Sequence, residues 1–74
     1  MDNNLNKQKL ALWKKQQEDL QKELIEAMHK RGAAAQEGDL SENADYKMYS
    51  EKAEMISARI GMIQKMIKEL GKEG

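Results

Sequence analysis

Residues 46–70, YKMYSEKAEMISARIGMIQKMIKEL, decide the fold. Tyr46, Tyr49, Ala53, Ile56, Ile60, Ile63, Ile67 and Leu70 recur at alternating steps of three and four, the a/d seam of a helix sustained for almost four heptads. Upstream, Leu10, Trp13, Gln17, Leu20, Leu24, Ala27, Arg31 and Ala34 repeat the same steps. Between the seams lies EGDLSEN, residues 37–43, where Gly38 offers a stop for the first helix and Asp39 or Ser41 a start for the second. Paired antiparallel, the seams match layer by layer: Leu10 faces Leu70, Leu24 faces Ile56, Ala27 faces Ala53, and each pair of residue numbers adds to 80. The fold-back therefore centres on Leu40. The pattern predicts an all-α chain, an antiparallel two-helix coiled-coil hairpin with an acidic tip. It is a single domain over residues 1–74, with helix one over about 5–36, a tip at about 37–42 and helix two over about 40–71.

Composition agrees. Ala, Glu, Lys, Leu and Arg make up half of the 74 residues, while Val, Thr and Phe are absent, leaving little from which to build strands. The absence of Cys excludes disulfides, thiol nucleophiles and Cys-ligated zinc. No apolar run approaches the roughly 20 residues of a membrane span and the MDNN start is no signal peptide, so no membrane partner and a cytoplasmic location are expected. With 13 bases against 13 acids, general nucleic-acid binding is disfavoured. Three features cut across the helical pattern. Arg31 sits at a seam position, where it can stack on Tyr49 or carry its head to solvent. Gly32 weakens the first helix, although Ala33, Ala34 and Ala35 favour its continuation. The first few residues and those from Gly71 onward carry no seam and should fray.

Charge is uneven along the chain. From Gly32 to Tyr46 there is no Lys or Arg, and Glu37, Asp39, Glu42 and Asp45 give this window −4 against +4 for the rest. Carboxylates on a loop can serve a hard divalent ion such as Mg²⁺. They can equally be structural: Asp39-Leu40-Ser41-Glu42 fits a D-x-x-E capping box, with Asp39 as N-cap and Glu42 as the third helical residue. A capping carboxylate keeps spare lone pairs, so the two roles are compatible.

The stretch EGDLSENADY, Glu37 to Tyr46, closely resembles the GDLSENAEY tip signature of the bacterial Gre transcript-cleavage factors, with Asp45 as the one conservative change. The likeness runs on into ISARI, Ile56 to Ile60, similar to the family's I-E-G-R-I, and covers the family's N-terminal coiled-coil domain only. The resemblance implies a hairpin that enters the secondary channel of bacterial RNA polymerase and stimulates cleavage of the backtracked RNA 3′ end by the polymerase itself. The chain would then be no enzyme on its own. By position in the motif, Asp39 and Glu42 match the functional acids, implied to hold a Mg²⁺ shared with the polymerase and to orient the attacking water. Gly38, Leu40, Ser41, Asn43, Ala44, Asp45 and Tyr46 complete the motif, Asn43 and Tyr46 being implied to shape the tip. Where the family usually carries Arg before and after the tip, this chain has Ala35 and Ser50, which leaves Lys47 and Lys52 as the nearest bases for RNA contact. Two alternatives stay open: a regulator that occupies the channel without cleavage, and a coiled-coil interaction module whose tip acids cap a helix.

Other residues carry weaker signals. His29 takes an outward position with no second His or Cys, which suits a solvated side chain. Trp13 is expected to close the base of the hairpin. Met48, Met55 and Met62 recur every seven residues off the seam, and Leu5 and Leu12 hold the equivalent positions on the first helix. Together they would form an exposed apolar strip, a candidate surface for self-association as a homodimer or for partner docking. The plainer reading is that single surface Met residues are ordinary on helices.

Overall fold

The structure is a computed structural model that describes residues 3–38 and 41–73. Two long helices, α1 (Asn3–Ala35) and α2 (Ala44–Glu73), pack side by side as an extended hairpin. The hairpin measures 57 × 15 × 12 Å, and its radius of gyration of 16.8 Å exceeds the roughly 11 Å of a compact chain this long.

Burial follows the seam. Every one of the a/d positions named above is buried or half-buried, whereas nearly all other described positions are exposed. Ala27, Ala53, Ile56 and Ile60 form the core cluster, with Leu20 and Leu24 packed against it. That grouping fits the pairing of Leu20 with Ile60, Leu24 with Ile56 and Ala27 with Ala53. Near the tip Ala34 is also buried, and the small side chains at 27, 34 and 53 leave room for the opposite helix to cover them. Towards the base, larger residues such as Leu10, Trp13, Ile67 and Leu70 remain half-buried, because two helices cover a seam from one side only.

Some local expectations change. Helix α1 runs through Gly32, as the following alanines favour, and ends at Ala35. Both helices extend past the seam, to Asn3 at one end and through Gly71 to Glu73 at the other; residues 1, 2 and 74, the outermost of those expected to fray, lie outside the described residues. The residues there are mostly Lys, Gln, Asn and Glu, whose backbone hydrogen bonds prolong a helix already nucleated by the packed seam. Lys30 lies over the Tyr49 ring, with its Nζ 5.9 Å from the centroid, and of the two courses open to Arg31, stacking there or carrying its head to solvent, the ring contact is made by its neighbour. Three exposed ion pairs run along α1 at i,i+4 spacing: Lys15–Asp19, Glu18–Lys22 and Glu26–Lys30. No helix among the described residues is long and apolar enough to cross a membrane.

Candidate functional site

The tip is built by the way each helix ends. At the end of α1, the amides of Gln36 and Glu37 donate to the carbonyls of Ala33 and Ala34 at 3.2 and 3.1 Å, tightening the last turn. Gly38 then takes φ 141°, a conformation that side chains disfavour. A Cβ there would meet open space, so it is the backbone angle and not crowding that calls for glycine.

Asn43 opens α2. Its Oδ1 accepts from the Tyr46 amide at 3.0 Å, the N-cap bond to the third helical residue, and its carbonyl receives the Lys47 amide at 3.2 Å. The same side chain donates from Nδ2 to the Ala34 carbonyl at 2.6 Å, tying the start of α2 to the end of α1. This corrects the capping box expected at Asp39 to Glu42. Glu42 lies in the turn before the helix, not at its third position, and Asn43 is the N-cap. The physical reason is that Asn carries both an acceptor for its own helix and a donor for the opposite arm, which a carboxylate lacks.

The remaining motif residues surround this clasp. Tyr46 is half-buried at the seam, while Ser41, Glu42, Ala44 and Asp45 are exposed. Asp39 and Leu40 lie outside the described residues. A shallow groove on one side of the tip is lined by Glu42, Asn43, Tyr46, Lys47 and Ser50 among others. Lys47 thus shares a surface with Glu42. Lys52 is exposed on α2, and its charge acts on Glu26 of the opposite arm. Ala35 and Ser50 are both half-buried.

The stem carries the clearest electrostatic coupling. A hydrogen bond and the charge of Lys30 hold the Glu26 carboxylate below the ordinary carboxylate range, and Glu26 in turn raises Lys30. Both groups are exposed, so the pair is a solvated one.

For Mg²⁺, the donor chemistry fits: the tip offers hard carboxylate oxygens of the kind the ion prefers. Among the described residues, no three His, Cys, Asp or Glu side chains gather into a group that could hold a metal.

No curated protein and no solved structure matches the chain at a significant level. The sequence model of the GreA/GreB N-terminal domain, described as transcription elongation factor, N-terminal, matches residues 4–70. That match spans both helices and the tip between them, so the chain belongs to the family of GreA/GreB N-terminal transcription elongation factor domains.

Proposed function

We propose that this hairpin enters the secondary channel of bacterial RNA polymerase and stimulates Mg²⁺-dependent cleavage of backtracked RNA by the polymerase. One observation carries the reading. Of the family's signature residues, Gly38, Ser41, Glu42 and Asn43 lie between α1 and α2, and Ala44, Asp45 and Tyr46 open α2, at one end of a hairpin 57 Å long. The family match supports the same reading, since the matched domain is that of a transcription elongation factor. The setting would be the cytoplasm, where the polymerase works.

In this proposal Asp39 and Glu42 would hold a Mg²⁺ ion jointly with polymerase ligands. When bound, the ion would polarise the attacking water and the scissile phosphate. The long, narrow stem carries the carboxylates to the reaction, while the Asn43 clasp holds the two arms together behind them. Lys47, beside Glu42 in the groove, is the better placed of the two lysines to meet the RNA backbone. Lys52, whose charge acts on Glu26 of the stem, is the less suited.

A second reading is favoured by Ala35 and Ser50, which replace the arginines implied for RNA contact with small uncharged side chains. On that reading the hairpin occupies the channel and regulates without cleaving. A single assay separates the two. Backtracked elongation complexes are incubated with the chain, with its Asp39→Asn/Glu42→Gln variant, and with a full-length Gre factor as competitor. Cleavage by wild type and not by the variant supports the cleavage role. Competition with the Gre factor in the absence of cleavage supports the regulator. Neither cleavage nor competition overturns both.

A further inference from the structure

The carbonyl oxygen of Ala34 receives two donors. The Glu37 amide reaches it at 3.1 Å from the end of α1, and Asn43 Nδ2 reaches it at 2.6 Å from the start of α2. The chain between the helices therefore leaves one arm and enters the other at a single atom. Ala34 is 5% exposed and belongs to the seam, so that atom is part of the packed stem.

Asn43 is held at three points. Besides the bond from Nδ2, its Oδ1 accepts from the Tyr46 amide and its carbonyl from the Lys47 amide. Glu42 is the preceding residue, joined to Asn43 by a rigid trans peptide. Its side chain is exposed, and among the described residues no ion pair holds its carboxylate. The place of that carboxylate is set through the backbone, and the backbone is set by Asn43.

Capping alone does not call for asparagine here. Asp and Ser serve as N-caps about as well. Asp has no donor to offer the Ala34 carbonyl, and the Ser hydroxyl is one bond shorter. What singles out Asn is the second bond, the one that crosses to the other arm. Such a bond has leverage on chemistry, because a displacement of about 1 Å at a reacting group can cost about 100-fold in rate. Mg²⁺ adds to this, since it demands near-ideal octahedral placement of its ligands.

We propose, on the cleavage reading above, that Asn43 is a positioning residue for transcript cleavage. Its bond to the Ala34 carbonyl fixes Glu42 at the tip, and loss of that bond lowers the maximal cleavage rate without weakening entry of the hairpin into the polymerase.

The test compares wild type with Asn43→Ser, which keeps a cap oxygen and adds no charge. Ile60→Val, a mild core change in the stem, serves as the control for lost stability. Nitrogen-15 relaxation of the free chain is the first measurement. The order parameter of the Glu42 amide should fall in Asn43→Ser and stay at the wild-type value in Ile60→Val. Cleavage in backtracked complexes is then titrated with each chain to saturation. Asn43→Ser should lower the maximal rate about tenfold or more, with the half-saturating concentration within about twofold of wild type. Ile60→Val should keep the maximal rate, because a smaller folded fraction is offset by adding more protein.

An unchanged Glu42 order parameter in Asn43→Ser overturns the proposal. So does an undiminished maximal rate from that variant beside a cleaving wild type, whether or not its half-saturating concentration rises. No cleavage by wild type at saturation overturns the cleavage reading itself, and Asn43's part in cleavage falls with it.

Discussion

Asn43 donates from Nδ2 to the carbonyl oxygen of Ala34 at 2.6 Å, a bond across nine residues of sequence that joins the two arms where they part. The same side chain caps α2 through Oδ1. One residue thus sets both the start of the second helix and its distance from the first. The turn in which Glu42 sits is anchored on it.

Removing that clasp has a graded effect. Asn43→Ser keeps an N-cap oxygen but loses the reach to Ala34, and should cost about 0.5–1.5 kcal/mol, the worth of one hydrogen bond. Asn43→Ala loses the cap too, which adds roughly 0.5–2 kcal/mol. Urea unfolding followed by circular dichroism should rank the stabilities wild type, Ser, then Ala. Equal stability of the Ser and Ala variants would show that the cap bond contributes nothing.

Ile56 is only 3% exposed, whereas Leu24, packed against the same core cluster, is half-buried. Ile56→Ala should therefore cost the more of the two, within the roughly 2–5 kcal/mol range of large-to-small core changes, and should unfold much of a hairpin with so thin a core. Thermal unfolding is the measurement. A loss under about 0.5 kcal/mol, the size of a surface change, would remove Ile56 from the seam.

Glu42 stands outside α2, and the cap is made by Asn43. Glu42→Gln should consequently leave helicity and unfolding midpoint within about 0.5 kcal/mol of wild type. If its carboxylate completes the ion shell in the polymerase, the same change should lower transcript cleavage by about tenfold or more, with polymerase binding retained. A parallel fall in stability and activity would instead assign Glu42 a structural role.

The Glu26–Lys30 pair predicts a pH dependence of defined sign. Glu26 titrates below the ordinary carboxylate value, so its contribution is present above the unfolded carboxylate pKa and is lost as pH falls through the lowered one. Lys30 is raised, so its contribution is complete below the unfolded lysine pKa and disappears as pH rises through the folded value. NMR titration of Glu26 should move towards the ordinary carboxylate value in Lys30→Gln. No movement would mean that Lys30 is not the cause.

The seam was legible in the sequence because it is a repeated signal. Sixteen positions at steps of three and four, on two arms with a common centre, predict which side chains are covered, and no single exception such as Gln17 or Arg31 spoils the pattern. The motif from Gly38 to Tyr46 was legible too, as a contiguous stretch placed where the two seams meet. The helix start inside it was not. Asp39, Ser41 and Asn43 are all acceptable N-caps, and local propensity does not separate them. Only the folded hairpin does, because the Ala34 carbonyl that receives the Asn43 amide belongs to the other arm. The exchange at Tyr49 has the same origin. Arg31 holds the seam position, yet Lys30 reaches the ring while paired with Glu26 one turn earlier on its own helix. Periodicity is a property of one helix and can be read along the chain, whereas a cap or a ring contact depends on which atoms the second helix brings within reach.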